Sequence, residues 1–178
     1  GPPDKTLVFL GDYVDRGPDS KAVIDTLLDP PPGFAAHYVR GNHDQVLLDF
    51  LADPAVFGTW SNFGGRETLA SYGVAPPKSL AESALAETRD RFAEALPARH
   101  LAFFRGLPLC LRLGGYLFVH AGIRPGLPVE AQSAADLLWI RNDFLDAQED
   151  FGVTVVHGHT PSHAPINRGN RIGIDTGA

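Results

Sequence analysis

Residues 11–17 read Gly11-Asp12-Tyr13-Val14-Asp15-Arg16-Gly17 and follow directly on the apolar run Thr6-Leu7-Val8-Phe9-Leu10. A buried strand that stops at Gly-Asp delivers a carboxylate to the rim of a sheet. In open α/β folds that rim, beyond the carboxyl ends of the strands, is where ligands bind. The pattern recurs three times. Residues 36–40 run into Gly41-Asn42-His43-Asp44, residues 115–119 into His120-Ala121-Gly122, and residues 153–156 into His157-Gly158-His159-Thr160. Four predicted strands therefore end in Asp, Asn/His, His and His, all hard-to-borderline metal ligands. One such coincidence would say little; four in one chain point to a metal site at the strand ends.

Outward from these motifs the chain alternates strand and helix. Residues 21–29 place Val23, Ile24, Leu27 and Leu28 on one helical face, and Pro30-Pro31-Pro32-Gly33 ends the run. His43-Asp44 opens a second predicted helix with Val46, Leu47, Phe50 and Leu51 on one face. Residues 79–96 are polar and helix-prone, and Pro76-Pro77 and Pro97 bracket them. They read as a helical cap inserted over 76–106, for which packing and substrate gating are both open readings. Gly114-Gly115 between two apolar runs signals a hairpin, and residues 171–174 a last short strand. No linker splits the chain, so residues 1–178 read as one domain.

Composition narrows the partners. The 178 residues are 44% apolar and carry a formal charge of −6, with no Lys/Arg block. Nucleic acid is not an expected partner, because phosphate backbones are held mainly by basic patches. No apolar run approaches the roughly 18 residues of a membrane span. Cys110 is the sole cysteine, so there is no disulfide framework; it reads as a small buried hydrophobe, with a reducing cytoplasm as the expected location.

The motifs GDYVDRG, GNHD, VHAG and VVHGHT, in this order, resemble those of the calcineurin-like metallophosphoesterases, and within them the phosphoprotein phosphatase (PPP) family. The run Trp60-Ser61-Asn62-Phe63-Gly64-Gly65 followed by Thr68-Leu69-Ala70-Ser71-Tyr72-Gly73 is similar to the bacterial serine/threonine phosphatase branch. The resemblance implies an α/β fold, a four-layer αββα sandwich with mixed sheets. In the family an earlier strand ending in Asp-x-His-Gly supplies the first metal's ligands. It has no counterpart here, so a truncation at both ends and a poorly held first metal are expected; Asp4, roughly 26 Å from Asp12 along an extended strand, does not substitute. No element is assigned to Gly1-Pro2.

Phosphate-ester hydrolysis needs a nucleophilic water at neutral pH and neutralised phosphoryl oxygens, and two metal ions can supply both. Asp12 suits a bridging carboxylate, since each of its oxygens can hold one ion. The resemblance implies that Asn42, His120 and His159 complete the second metal site. It implies too that His43 protonates the leaving oxygen, with Asp15 as the carboxylate behind it. An Asp beside a His favours the imidazolium that a general acid requires. Arg16 and Arg141 match the family's phosphate-binding arginines, whose fixed fork suits phosphate oxygens; a salt bridge from Arg16 to Asp15 or Asp19 is the structural alternative. Asp44 stands where the phosphatase branch commonly has Glu. His157 would share a face with His159 on an extended strand, but the family pattern makes His159 the ligand and leaves His157 packed or supporting. His163 reads as a surface-loop residue, Arg40 as structural or site-reaching, and His37 and His100 as ordinary.

The implied cofactors are two divalent ions, manganese first, with iron or zinc as options. The leading activity is hydrolysis of phosphomonoesters, phosphoserine and phosphothreonine in proteins before small phosphoesters. A symmetrical dinucleoside polyphosphate hydrolase is the alternative enzyme. Members of that group often carry Ala where Asp15 stands, so Asp15 favours the phosphatase. A non-catalytic metal- or phosphate-binding module lacking the first metal site is the alternative outside enzymes.

Overall fold

Apolar strands ending in polar loops, the pattern of the sequence, give a mixed α/β architecture. The computed structural model describes residues 5–177; the expectations for Gly1-Pro2 and Asp4 fall outside them. In chain order the elements are β1 (Lys5–Phe9), α1 (Ser20–Leu27), β2 (Phe34–Tyr38), α2 (Asn42–Ala52), α3 (Phe57–Trp60), α4 (Gly65–Ser71), α5 (Glu82–Ala95), α6 (Ala98–Gly106), β3 (Cys110–Leu113), β4 (Tyr116–Val119), α7 (Ala134–Trp139), α8 (Asn142–Leu145), β5 (Thr154–His157), β6 (Ile166–Asn167) and β7 (Arg171–Gly173). β1 pairs with β2 in a two-stranded sheet, and five strands form a second sheet in the order β3-β4-β5-β7-β6. Among the described residues no helix is long and apolar enough to cross a membrane.

The described residues divide into two compact units. The first comprises Lys5, Asp12–Ala35 and His43–Gly106; the second comprises Thr6–Gly11, Ala36–Asn42 and 107–177.

Aromatic packing holds the first unit. Phe50, Phe57, Trp60 and Phe92 are all fully buried. The Phe50 ring lies tilted at 4.9 Å from Trp60 and 5.9 Å from Phe57, and Trp60 lies 6.0 Å from Phe92. Ring pairs at these separations add about 0.5–1.5 kcal/mol each beyond their buried area. The 76–106 segment contributes α5 and α6, and α5 buries Leu85, Thr88 and Phe92 in this core while its other faces stay polar. His100 of α6 is also fully buried, between Tyr72 (Oη–Nδ1 2.9 Å) and Asp25 (Nε2–Oδ1 3.1 Å). It is a built part of this unit, which its sequence context did not indicate.

The second unit is built on the five-stranded sheet. Gly114 and Gly115 turn the predicted hairpin, pairing Leu113 with Tyr116 and Cys110 with Val119. β4 then runs parallel to β5, and β5 parallel to β7. Leu117, Val119, Ala121, Ile123, Leu137, Ile140, Phe144 and Val155 form its core, with Cys110 packed half-buried against it. Burial pushes the Cys110 thiol above its ordinary pKa, so the unreactive thiol form dominates.

Strand limits differ from the sequence pattern in an informative way. The run expected over 36–40 is strand only to Tyr38. The Val39 N–H still donates to the Phe9 carbonyl, but the Arg40 N–H turns to the carbonyl of Pro108, which ends the ladder before Gly41. β1 likewise stops at Phe9. Gly11 has φ +94°, and a Cβ there would lie 2.4 Å from the backbone nitrogen of Gly41, so only glycine allows this approach.

Candidate active site

Asp12, Asp15, Arg16, His43 and Asp44 belong to the first unit. The loop from Asp12 to Arg16 turns on residues with left-handed backbone: Asp12 at φ +60°, Asp15 at +75° and Arg16 at +61°. Such conformations cost of order 1–3 kcal/mol each and persist where the surroundings over-determine them. Asp44, fully buried in the first turn of α2, supplies part of that constraint. Its carboxylate accepts from the backbone N–H of Asp12 (2.9 Å) and of Tyr13 (3.0 Å). The N–H of His43 donates in turn to Asp12 Oδ1 at 3.1 Å. Gly64, at φ +106°, completes the fit: a Cβ there would lie 2.2 Å from the Arg16 nitrogen.

The Asp15–His43 pair expected from the motifs is assembled. His43 Nδ1 donates to Asp15 Oδ2 at 2.7 Å, and both side chains are buried. Two further donors meet the same carboxylate, Thr68 Oγ1 at 2.6 Å and Trp60 Nε1 at 3.0 Å. Burial draws the His43 pKa down, but the Asp15 hydrogen bond and the Asp12 and Asp15 charges outweigh it, leaving it above 6.5. The far nitrogen, Nε2, faces the Arg16 guanidinium at 3.4 Å and Asp12 Oδ2 at 3.9 Å. Among the described residues Arg16 forms no ion pair with Asp15 or Asp19; its side chain is exposed, with that His43 approach as its recorded polar contact. Trp60, Thr68 and Asp44 are supporting residues to which the sequence reading gave no role. A signal existed for the first two, since both lie in the 60–73 stretch that carries the bacterial resemblance.

Asn42, His120, His159 and Arg141 belong to the second unit. His120 follows β4 directly, and its Nδ1 donates to the Leu10 carbonyl at 2.7 Å, which leaves the lone pair on Nε2. That Nε2 lies 2.7 Å from Asn42 Oδ1 and 3.1 Å from His159 Nδ1, and His159 Nδ1 lies 3.0 Å from Asn42 Oδ1. All three residues are buried. Adjacent donors at right angles on a metal with bonds of about 2.1 Å are separated by about 3.0 Å. The triangle of 2.7, 3.0 and 3.1 Å matches that spacing, so the donor set fits a divalent cation. A second observation agrees: His120 Nε2 and Asn42 Oδ1 bring two lone pairs within 2.7 Å, a contact that a cation relieves. Among the described residues no three His, Cys, Asp or Glu side chains cluster in this way; the third donor here is an amide oxygen.

His159 reaches this arrangement because β5 ends at His157 and the backbone reverses to φ +63° at His159. The extended geometry that would align His157 with it therefore does not hold. His157 instead packs edge-on against Phe144 at 5.0 Å and contacts the Gly158 carbonyl, as the packed reading expected. Arg141 Nη1 donates to Thr160 Oγ1 at 3.2 Å and more weakly to the His159 carbonyl at 3.4 Å. His163 is exposed on a loop.

The calcineurin-like phosphoesterase family model matches residues 1–176. The asymmetrical bis(5'-nucleosyl)-tetraphosphatase PrpE of Geobacillus thermodenitrificans (strain NG80-2) is 28% identical, over 99% of this chain and 72% of that protein. The PrpE of Bacillus velezensis (strain DSM 23117 / BGSC 10A6 / LMG 26770 / FZB42) is 29% identical, over 98% and 70%. A crystal structure of a protein proposed to be a diadenosine tetraphosphatase superposes with a TM-score of 0.63, covering 97% of this chain and 70% of that one at 22% identity.

Proposed function

The chain belongs to the calcineurin-like phosphoesterase family, and on that premise we propose that it is a metal-dependent hydrolase of dinucleoside polyphosphates, with bis(5'-nucleosyl) tetraphosphates as the leading substrates. The observation that carries the substrate class is the end-to-end similarity to the PrpE tetraphosphatases, which spans nearly all of this chain. The motifs alone ranked phosphoprotein first and dinucleoside polyphosphate second; the relatives reverse that order. Their names also specify asymmetrical cleavage, where the motifs suggested the symmetrical enzyme.

Enzymes of this family generally use two divalent ions. Asn42, His120 and His159 would hold one of them, and Asp12 is the carboxylate ligand that its motif proposes. A bound divalent ion supplies Lewis acidity, neutralising phosphate charge and acidifying water. The reaction adds water to one phosphorus and breaks its bond to the bridging oxygen. Arg16 and Arg141 present guanidinium forks to phosphate oxygens. His43 holds a proton on Nε2 for the departing oxygen, while Asp15 fixes the tautomer and stabilises the imidazolium. Trp60 and Thr68 orient Asp15, and Asp44 orients the loop that carries Asp12.

One observation favours hydrolysis of phosphoserine or phosphothreonine as a second reading: the complete Asp15–His43 pair, since an alkoxide leaving group needs a proton more than a polyphosphate does. Incubation with diadenosine tetraphosphate, a phosphothreonine peptide and p-nitrophenyl phosphate, each with Mn, Zn or Mg, separates the readings. ATP plus AMP is the expected product pair, and two ADP would indicate the symmetrical enzyme. Phosphate released from peptide with the dinucleotide left intact would overturn the proposal.

A further inference from the structure

Trp139 is the last residue of α7, and its neighbours Leu137, Leu138 and Ile140 are all buried, none more than 7% exposed. Trp139 itself is 40% exposed. A single exposed aromatic is ordinary on a protein surface, so a ligand-binding role rests on where the indole stands. The indole meets the His159 ring edge-to-face, at 6.1 Å between centroids and 86° between planes. Two residues on, Arg141 bonds to Thr160 and to the His159 carbonyl. Within one unit, a single short segment thus sets a flat aromatic surface and a guanidinium around the same candidate ligand.

That combination is what a nucleotide requires. A phosphate group uses the cation, and a nucleobase uses the π-face, whatever the base. A phosphoserine side chain or inorganic phosphate has nothing to stack. Tyr116, also exposed, is at the opposite end of β4 from His120, about 13 Å away by the rise of a strand, and does not compete for the role.

We propose that Trp139 is the stacking platform for a nucleobase of the substrate and so a specificity-determining residue. The inference rests on the dinucleoside polyphosphate reading but can be tested apart from it, because Trp60, the other tryptophan, is fully buried and only Trp139 reports quenching from solution. The wild-type protein is titrated with AMP and with ribose 5-phosphate while tryptophan emission is followed. AMP should quench the exposed indole and ribose 5-phosphate should not, and Trp139→Ala should abolish the difference.

In parallel, Trp139→Ala should raise KM for diadenosine tetraphosphate about 10- to 100-fold, with a smaller change in kcat, and Trp139→Phe should restore most of the loss. Circular dichroism on both variants shows whether they fold. Equal responses to AMP and ribose 5-phosphate, or an unchanged KM in folded Trp139→Ala, overturn the inference. If the wild type leaves diadenosine tetraphosphate uncut, the reading of function falls, and the titration alone decides: an AMP-specific quench sustains the stacking role, and its absence ends it.

Discussion

In the first unit the Asp15 carboxylate is met by three donors, from His43, Thr68 and Trp60, and every close contact pairs a proton with a lone pair. In the second unit Asn42 Oδ1, His120 Nε2 and His159 Nδ1 lie within 2.7–3.1 Å of one another. One constellation is complete on its own; the other has the spacing of a donor set for a cation. Asn42 and His43 are consecutive residues, yet they fall on opposite sides of this division. On the proposed function these are two kinds of preorganisation: proton handling that folding alone assembles, and charge handling that folding only prepares.

Substitutions should divide along the same line. The largest effect is expected in the second unit, where His120→Ala removes one of the proposed metal donors. Loss of the several kcal/mol of transition-state stabilisation that a metal supplies should lower kcat by about 1,000-fold or more. Survival of more than a tenth of the activity would break the contrast. His43→Ala comes next. It should lower kcat by about 100-fold on a phosphomonoester with an alkoxide leaving group, such as a phosphothreonine peptide, and less on a dinucleoside polyphosphate, whose leaving group needs less protonation. A equal loss on both substrates would place His43 outside proton transfer.

A smaller effect concerns stability. Thr68→Val keeps shape but takes a donor from the buried Asp15 carboxylate, and it should cost about 1–3 kcal/mol in denaturant unfolding. The cost should be the same with and without a chelator, because this network owes nothing to metal. Sensitivity of that cost to chelator would merge the two constellations into one.

The smallest expected effect is a pH dependence. Burial holds the His100 pKa below 6.5, against the pull of Asp25. A group whose folded pKa is depressed contributes its stability above the unfolded value and loses it as pH falls through the folded one. Wild-type stability should therefore decline below about pH 6.5 more steeply than that of His100→Gln, as thermal melts at several pH values would show. Parallel declines would remove His100 from the account.

Much of the site was legible because the chemistry sits where apolar runs stop. Asp12, Asn42, His120 and His159 all follow strands at the expected places, and Asp15 with His43 forms the expected pair. What escaped the sequence is what depends on backbone and on distant partners. The left-handed turns at Asp12, Asp15, Arg16 and His159 are ordinary letters in a string, since only glycine announces such a conformation. His159 shows the consequence: an extended strand would have aligned it with His157, and the reversed backbone sends the two apart. Trp60 and Thr68 lie 45 and 53 residues from Asp15, beyond any local periodicity. His100 lacked a motif because its partners, Tyr72 and Asp25, are brought to it only by packing.

The most direct test of the central claim is metal content per chain in the wild type, His43→Ala and His120→Ala, purified in parallel and equilibrated with the same divalent cation. The wild type and His43→Ala should retain a bound ion, and His120→Ala should lose it. Equal metal content in all three proteins would contradict the assignment of Asn42, His120 and His159 as the donors that hold it.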